Sequence, residues 1–455
     1  MKVKEILKVT KGKMLFGNEE LEVENFSKDT RTIQKGDIYI GIKGEKFDGS
    51  NFWNQALDAG ATAVIISNIQ ISKEEKEKYK DKTIIQVEDT FEALYEIAKY
   101  KRSLYNIPVI AVTGSVGKTS TKDIIASVVS QKYKTLKTEG NNNNNIGLPL
   151  TILKLKDHEA LVVEMGMNHF GEISLLTNIA KPTLAVITNI GTSHIGNLGS
   201  RENILKAKLE ILEGMKIPRV IINNDNDLLH KWYEENKEKI EIHTYGINNS
   251  SDVIAEKIEL GEEKSKFVVK TSSEKVNIDV PVGGEHFVYN ALCGFMVGKV
   301  LGLTAKEIQN GISKFELTKK RMDIRVLKNG ATLINDSYNA SYESMKASLK
   351  YLSSRTDLRK IAVLGDMLEL GEFSKELHEK VGEEVANDNI DVLICRGEFA
   401  KNIISKANKN KKTQCILLQN NEEILSKLQE ILKEGDGVLI KASNGMKFYE
   451  ICQKL

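Results

Sequence analysis

Residues 114–120, Gly114-Ser115-Val116-Gly117-Lys118-Thr119-Ser120, place glycines, a lysine and hydroxyls in one short stretch. An apolar run, Val109-Ile110-Ala111-Val112, leads into it and a helical pattern leads out. Glycines let a backbone turn tightly and aim successive N–H groups into one concavity. The helix that follows adds the positive end of its dipole. Lys118 supplies a cation for outer phosphates, and the Thr119 hydroxyl suits Mg²⁺. The match is to Gly-Lys-[Ser/Thr] and one further glycine; the first glycine of the usual phosphate-loop spacing would fall at Val112. The stretch points to a nucleoside triphosphate without fixing the reaction. A strand-to-helix turn with an incidental lysine is the plainer reading, but it leaves the agreement of loop, lysine, threonine and flanking elements unexplained.

Two further polar residues close apolar runs. "ALVVEMG" puts Glu164 at a strand end, and "AVITNIGTSH" puts His194 just past another. In an open parallel sheet, ligands bind beyond the carboxyl ends of the strands. Glu164 alone would be a loop carboxylate and His194 alone a polar loop histidine. On one sheet edge with Lys118 and Thr119, they suit Mg²⁺ beside phosphates.

These residues need strands and helices in alternation, and the chain supplies them. Its 455 residues suggest several domains. Up to about residue 106, runs such as "IYIGI" and "ATAVIIS" alternate with helical stretches. There "NFWNQALDA" is expected as a helix capped by Ser50 or Asn51 and stopped by Gly60, and "SKEEKEKYKDK" as a solvated helix or loop. Between 107 and 316, "VIAVTG", "ALVVEMG", "TLAVITNIG" and "RVIINND" suit a parallel sheet covered on both faces, and residues 252–284 a β insertion with exposed faces. From 317 to 455, opening near Lys319, Asn329-Gly330 signals a hairpin, and "KIAVLGD", "DVLICRG" and "DGVLIKA" predict another α/β unit. The fold class is α/β in three domains.

Composition narrows the function. Lys plus Arg is 65 against 63 for Asp plus Glu, a net charge of +2, which argues against a nucleic-acid partner held through phosphates. No run of apolar residues is long enough to span a membrane, and no secretory signal is expected at the N-terminus. Cys293, Cys395, Cys415 and Cys452 lack metal-ligand spacing and fit reduced thiols in a cytoplasmic protein.

The stretches "TGSVGKTSTKD", "NNNNNIGLPLTIL", "VVEMGMNHFGEISLLT", "ITNIGTSHIGNLGSRENILKAKLEI", "GEHFVYNALCG", "INDSYNAS" and "VLGDMLELGE" occur in this order. Together they resemble the Mur ligases, and within them the branch that joins D-Ala-D-Ala to UDP-MurNAc-tripeptide; the "EMGMNHFGEI" and Asn-rich "IGLP" elements separate that branch from its sisters. The resemblance implies an ATP- and Mg²⁺-dependent amide ligase of cytoplasmic peptidoglycan precursor synthesis, expected to be a monomer. It makes residues 1–106 a uridine-nucleotide domain, 107–316 the ATP domain and 317–455 a Rossmann-like acceptor domain. The tripeptide's terminal carboxylate would be phosphorylated by ATP, and the dipeptide amine would attack the acyl phosphate.

By position, the resemblance gives Gly114 to Ser120 to the phosphates, and Thr119, Glu164 and His194 to Mg²⁺. Lys208 aligns with a lysine that sister ligases carry as a carbamate, a second metal ligand; a plain helix lysine stays open. Asn290 would meet adenine or bridge within its helix. Arg321 and Asp336 would reach ATP phosphate and ribose or form structural ion pairs. Ser27, Asp29, Thr30, Arg31, Gly44, Asp48 and Gly49 match the uridine-nucleotide elements, though an Asp-Thr-Arg stretch is equally an Asx-turn with an ion pair. Asn339, Lys441 and Ser443 fall on the acceptor side. The chain departs from the family there, with Ser341-Tyr342 for Asn-Pro and Lys441-Ala442-Ser443-Asn444 for Lys-Gly-Ser-Arg. A missing Arg removes a bidentate partner for carboxylate or phosphate. Two other readings remain at this point: a sister amide ligase of the superfamily, and a nucleotide-gated switch without catalysis, which would not need Glu164, His194 and Lys208 together.

Overall fold

A computed structural model describes residues 1–44, 47–67, 69–262, 264–318 and 321–455. Glu45 and Lys46 of the second N-terminal loop, and Lys319, where the third part was expected to open, lie outside the described residues. Three sheets occupy three successive stretches of chain.

The first sheet has five strands. Its edge, Lys13–Phe16, runs antiparallel to Thr83–Gln86; Ala63–Ile66, Ile38–Ile40 and Phe26–Ser27 follow in parallel. The expected helix at 51–59 starts differently. Asp48 is the cap, accepting from Ser50 N, and it opens a 3₁₀ turn, Gly49–Phe52, ahead of the helix Trp53–Asp58. Ser50 is instead buried, its hydroxyl donating to Gly41 O at 3.1 Å. The helix Lys73–Lys78 buries no residue and is closed by a Ser72–Glu75 capping box, as a solvated element should be.

The central sheet has nine strands. Val109–Thr113 lies between Ala160–Glu164 and Leu184–Ile187, and all three are buried throughout. This is what runs of Val, Ile and Ala without polar alternation produce in a parallel sheet covered on both faces. Arg219–Asn223, Glu241–Gly246 and Val253–Leu260 extend it in parallel, and Ser265–Lys270 and Lys275–Val280 close it antiparallel. The expected β insertion is thus a continuation of the main sheet, and only one of its faces is exposed. Phe267, Val269, Val276, Ile278 and Val280 are buried on the other, the period-2 pattern of a half-covered antiparallel edge.

The third sheet orders Asp323–Val326, Thr332–Asn335, Asp436–Lys441, Arg359–Gly365, Val392–Arg396 and Gln414–Leu417, parallel except for the first. The hairpin forms where Asn329-Gly330 signalled it: Gly330 takes φ +82° and the Asn329 carboxamide oxygen accepts Ala331 N.

The domains are tied at named points. The buried Arg102, near the end of helix Thr90–Ser103, donates to Ala180 O at 2.8 Å across to the central domain. Asp123, on the helix Lys118–Val129, accepts from Thr318 Oγ1 at 2.7 Å, which fixes the link into the third sheet. Burial pushes the Asp123 carboxyl up, but Lys122, Lys137 and Thr318 outweigh it and hold it below the usual carboxylate range.

The helix Lys118–Val129 packs against Glu285–Val300 and Ala305–Ser313 through glycine contacts. A Cβ on Gly311 would stand 2.4 Å from Val128 Cα, backbone against backbone. In an open helix Gly→Ala would gain up to about 1 kcal/mol of propensity. Here the clash with main chain decides the sign. Gly311→Ala should cost about 1–3 kcal/mol, read as a lowered midpoint in thermal unfolding followed by circular dichroism; an unchanged or raised midpoint contradicts this packing.

Candidate active site

The strand Val109–Thr113 ends at Gly114, whose hypothetical Cβ would lie 1.9 Å from Thr188 Oγ1, so no side chain fits between these strand ends. Gly117 adopts φ +79° and starts the helix Lys118–Val129, a conformation glycine takes without strain. The turn between them is braced by the next strand end. Ser115 N donates to Asn189 O at 3.1 Å and Val116 N to Asn189 Oδ1 at 3.0 Å. Thr188 Oγ1 donates back to Val116 O at 2.7 Å. Lys118 Nζ donates to Gly114 O at 2.9 Å and Ser115 O at 3.4 Å. It has no carboxylate in salt-bridge contact among the described residues. Burial lowers its pKa; Glu164 opposes that and Arg321 adds to it.

Glu164 ends the strand Ala160–Glu164 and is 2 % exposed. Its Oε2 accepts Thr119 Oγ1 at 2.9 Å and its Oε1 accepts Asn143 Nδ2 at 2.8 Å. A carboxylate and a hydroxyl in contact form a hard-oxygen donor pair. Among the described residues no three His, Cys, Asp or Glu side chains converge. That fits Mg²⁺, which takes one or two carboxylates and fills its shell with phosphate and water oxygens.

His194 caps the short helix Ile195–Leu198 with φ 64°, and its Nδ1 lies 2.6 Å from Glu369 Oε2 of the third sheet's domain. The His194 hydrogen bond holds Glu369 below the usual carboxylate range. Lys208, on helix Arg201–Leu209, is 2 % exposed, and its amine makes no hydrogen bond or ion pair among the described residues. Burial lowers its pKa far below that of an exposed lysine, and Lys118 lowers it further.

The third domain supplies the opposite wall. Asp336, Tyr338, Asn339 and Lys441 line the same cleft of about 630 Å³ as Lys118, Glu164, His194 and Asn290. Arg321 lays its guanidinium 4.1 Å above the Tyr338 ring, and its buried Nε has no hydrogen-bond partner among the described residues. Asp336 is engaged within its own domain: Lys441 Nζ meets its Oδ2 at 2.5 Å and Ser348 Oγ donates to it at 2.7 Å. Lys441 and Ser443, expected to meet the acceptor, are engaged within the protein; Ser443 Oγ accepts Leu368 N at 2.9 Å. Asn290 does not bridge within its own helix; it accepts from Thr121 Oγ1 of the helix Lys118–Val129 at 3.0 Å, and it also lines the cleft. His286 lines it too, and burial drops its pKa to about 4, leaving the ring neutral.

The uridine-type elements are not part of this cleft. Asp29 and Arg31 form the Asx-turn with an ion pair: Arg31 N donates to Asp29 Oδ1 at 3.0 Å, and the two side chains meet at 2.7 Å. Thr30 lies inside that turn, and Ser27 Oγ accepts Asp29 N at 3.2 Å. Gly44 N donates to Phe47 O, and Gly49 N to Ile42 O, in a tight loop that Asp48 closes.

Several contributors were missed at the level of sequence. Nothing in the sequence singles out Asn143 within a run of five asparagines, or Asn189 just past a strand end. Glu343 and Glu369 bind the His194 loop from another domain; no local spacing announces such a contact.

Comparisons with known proteins agree with this geometry. The chain matches the family of the Mur ligase middle domain over residues 112–298, that of the Mur ligase glutamate ligase domain over 320–444, and the Mur ligase family catalytic domain over 22–102. The UDP-N-acetylmuramoyl-tripeptide–D-alanyl-D-alanine ligase of Bacillus subtilis (strain 168) is 37% identical over 457 residues, covering 100% of this chain and 98% of that protein. The crystal structure of MurF from Acinetobacter baumannii superposes with a TM-score of 0.88 at 29% identity, covering 100% of this chain and 98% of that one. The MurF ligase of Thermotoga maritima in complex with ADP gives 0.82 at 30% identity, covering 96% and 98%. The sheet order, the phosphate turn and these matches lead to one statement: the chain belongs to the Mur ligase family, in its MurF branch.

Proposed function

We propose that the chain joins D-Ala-D-Ala to the terminal carboxylate of UDP-MurNAc-tripeptide with hydrolysis of ATP to ADP, in the cytoplasmic stage of peptidoglycan precursor synthesis. One observation carries the reading. Lys118 and the Thr119–Glu164 pair on the central sheet edge line one cleft with Arg321 and Asp336 from the third domain, and the buried Lys208 on helix Arg201–Leu209 lies close enough to Lys118 to feel its charge. A switch protein that merely senses nucleotide has no need of a second lysine, buried and without an ion pair among the described residues, beside the lysine of the phosphate turn.

The division of labour follows from charge. The turn Gly114–Ser120 receives the triphosphate, and the Lys118 ammonium, held only by two carbonyls, turns toward the outer phosphates. Thr119 and Glu164 would hold Mg²⁺, which supplies charge neutralisation at the transferring phosphoryl oxygens. His194, its Nδ1 engaged by Glu369, offers Nε2 to the same region. Asn290 and Arg321 fit adenine and phosphate. The dipeptide amine enters from the third domain's side near Asn339, and the acyl phosphate stays shielded from water between the two walls. Residues 1–106 serve as the uridine-nucleotide domain, where the Asp29–Arg31 pair opens to offer Arg31 to a diphosphate.

Lys208 is carried as a carbamate. Burial lowers its pKa and so favours the neutral amine, the form that adds to CO₂ with loss of one proton. A bare ammonium there would repel Lys118, whereas a carbamate places an anion near it and near the metal. The burial also sets the sign of a stability effect. The amine's folded pKa lies below its unfolded value, so the fold bears a penalty wherever the unfolded lysine is protonated.

Three outcomes check the reading. Phosphate release from ATP should require both UDP-MurNAc-tripeptide and D-Ala-D-Ala; equal release with a single amino acid as acceptor overturns the assignment. Lys118→Ala should keep its circular dichroism and melting midpoint while kcat falls about 10²–10³-fold, or about 3–4 kcal/mol. Lys208→Met removes the amine but keeps the packing. It should melt no lower than the parent chain at neutral pH, be nearly inactive, and leave Lys208→Ala as the variant that short carboxylic acids partly restore. Normal turnover in Lys208→Met, or a parent chain indifferent to removal of CO₂ at fixed pH, excludes the carbamate.

A further inference from the structure

The loop 191–196 leaves the central sheet beside the phosphate turn, yet much of what holds it comes from the third domain. Glu343, in the first turn of helix Tyr342–Ser354, accepts Thr192 N at 2.7 Å through one oxygen and Thr192 Oγ1 at 3.1 Å through the other. Glu369 holds the next turn twice. Its carboxylate lies 2.6 Å from His194 Nδ1, and its carbonyl accepts Gly196 N at 3.1 Å. Neither glutamate is paired with a lysine or arginine among the described residues, so neither charge is committed inside its own domain.

The loop is shaped for these contacts. A Cβ on Gly191 would fall 2.5 Å from the Glu343 carboxyl carbon, and one on Gly196 would fall 2.6 Å from Gly371 N. The loop also continues into the phosphate turn. Gly191 N donates to Ser115 Oγ at 2.9 Å, and Ser193 Oγ donates to Ser115 O at 3.2 Å. Thr192, gripped by Glu343, is therefore flanked on both sides by residues bonded to Ser115.

We propose that Glu343 and Glu369 are positioning residues. Through them the third domain holds the loop 191–196, and with it Ser115 and the His194 ring, so that the phosphate turn is fully braced only while the two domains are docked. The kinetic consequence rests on the ligase reading above; the structural half stands in the ligand-free chain.

The test combines hydrogen–deuterium exchange of the ligand-free full chain with phosphate-release kinetics. In Glu343→Ala, exchange over residues 188–199 should quicken about tenfold, the loss of a hydrogen bond to a charged group, while the strands of the central sheet keep their rates. KM for ATP should rise about fivefold, with a smaller change in KM for the dipeptide. Glu343→Gln should recover most of both, because its amide oxygen still accepts the Thr192 N–H and the hydroxyl can turn to accept. Gly191→Ala approaches the same contact from the other side. Its methyl meets the far end of a flexible carboxylate and displaces that, not main chain, so it should reproduce Glu343→Ala even where that variant folds poorly. Unchanged exchange over 188–199 in both variants overturns the proposal. So does lost activity with the protection intact, which would put Glu343 on the substrate itself. If the parent chain shows no acceptor-dependent phosphate release, the ligase reading fails while the exchange result still decides the positioning role.

Discussion

The charges at the end of the central sheet are not balanced by one another at contact distance, and much of the site depends on that. Lys118 is satisfied by two backbone carbonyls. Glu164 is satisfied by two neutral donors, Thr119 and Asn143. The Lys208 amine is buried with no polar contact among the described residues. Elsewhere the protein pairs its buried charge directly, as in Arg359 with Asp436 at 2.7 Å and Lys441 with Asp336 at 2.5 Å. Burying an unpaired charge is costly, and the cost is normally removed by pairing or by neutralisation. Here Lys118 and Glu164 make no ion pair at contact distance and burial disfavours charge on Lys208, which leaves the polar groups of this sheet edge open to those of a ligand.

Such a site needs stiff support. The three strands that end there are buried along their whole length. The helix after the turn is pinned by glycine contacts that allow no slack at Gly294 and Gly311. The same helix carries Asp123, which anchors the link into the third domain through Thr318. The helix that carries Lys118 thus also bonds Thr318, at the end of the central stretch of chain.

What the sequence exposed was whatever a short window could carry. The turn Gly114–Ser120, the strand ends at Glu164 and His194, and the hairpin at Asn329-Gly330 each follow from local backbone chemistry. The helix cap at Asp48 was misplaced because Ser50 and Asn51 are equally good capping types; burial of Ser50 against Gly41 decided it. The 252–284 segment was misjudged because alternation shows that one face is exposed but not which sheet the other face joins. Pairings between domains, Glu369 with His194 or Glu343 with Thr192, join residues more than a hundred positions apart. No periodicity contains them.

The departures from the family on the acceptor side have a physical account. Ser341 caps its helix through Ser344, and Tyr342 reaches across to Glu384 at 2.8 Å, so the segment without Asn-Pro is held by new local bonds. Ala442 is fully buried, and a Cβ at Gly365 would lie 2.7 Å from its own, which leaves room for nothing larger. Asn444 stands where the family usually has Arg, and it donates to Tyr338 O at 3.0 Å. Tyr338 is the ring on which Arg321 lies. Asn444 thus holds the main chain of the residue on whose ring Arg321 lies. Lys441 does not replace the lost charge, because Asp336 holds it. The guanidinium that lines the cleft from this domain, among the described residues, is that of Arg321.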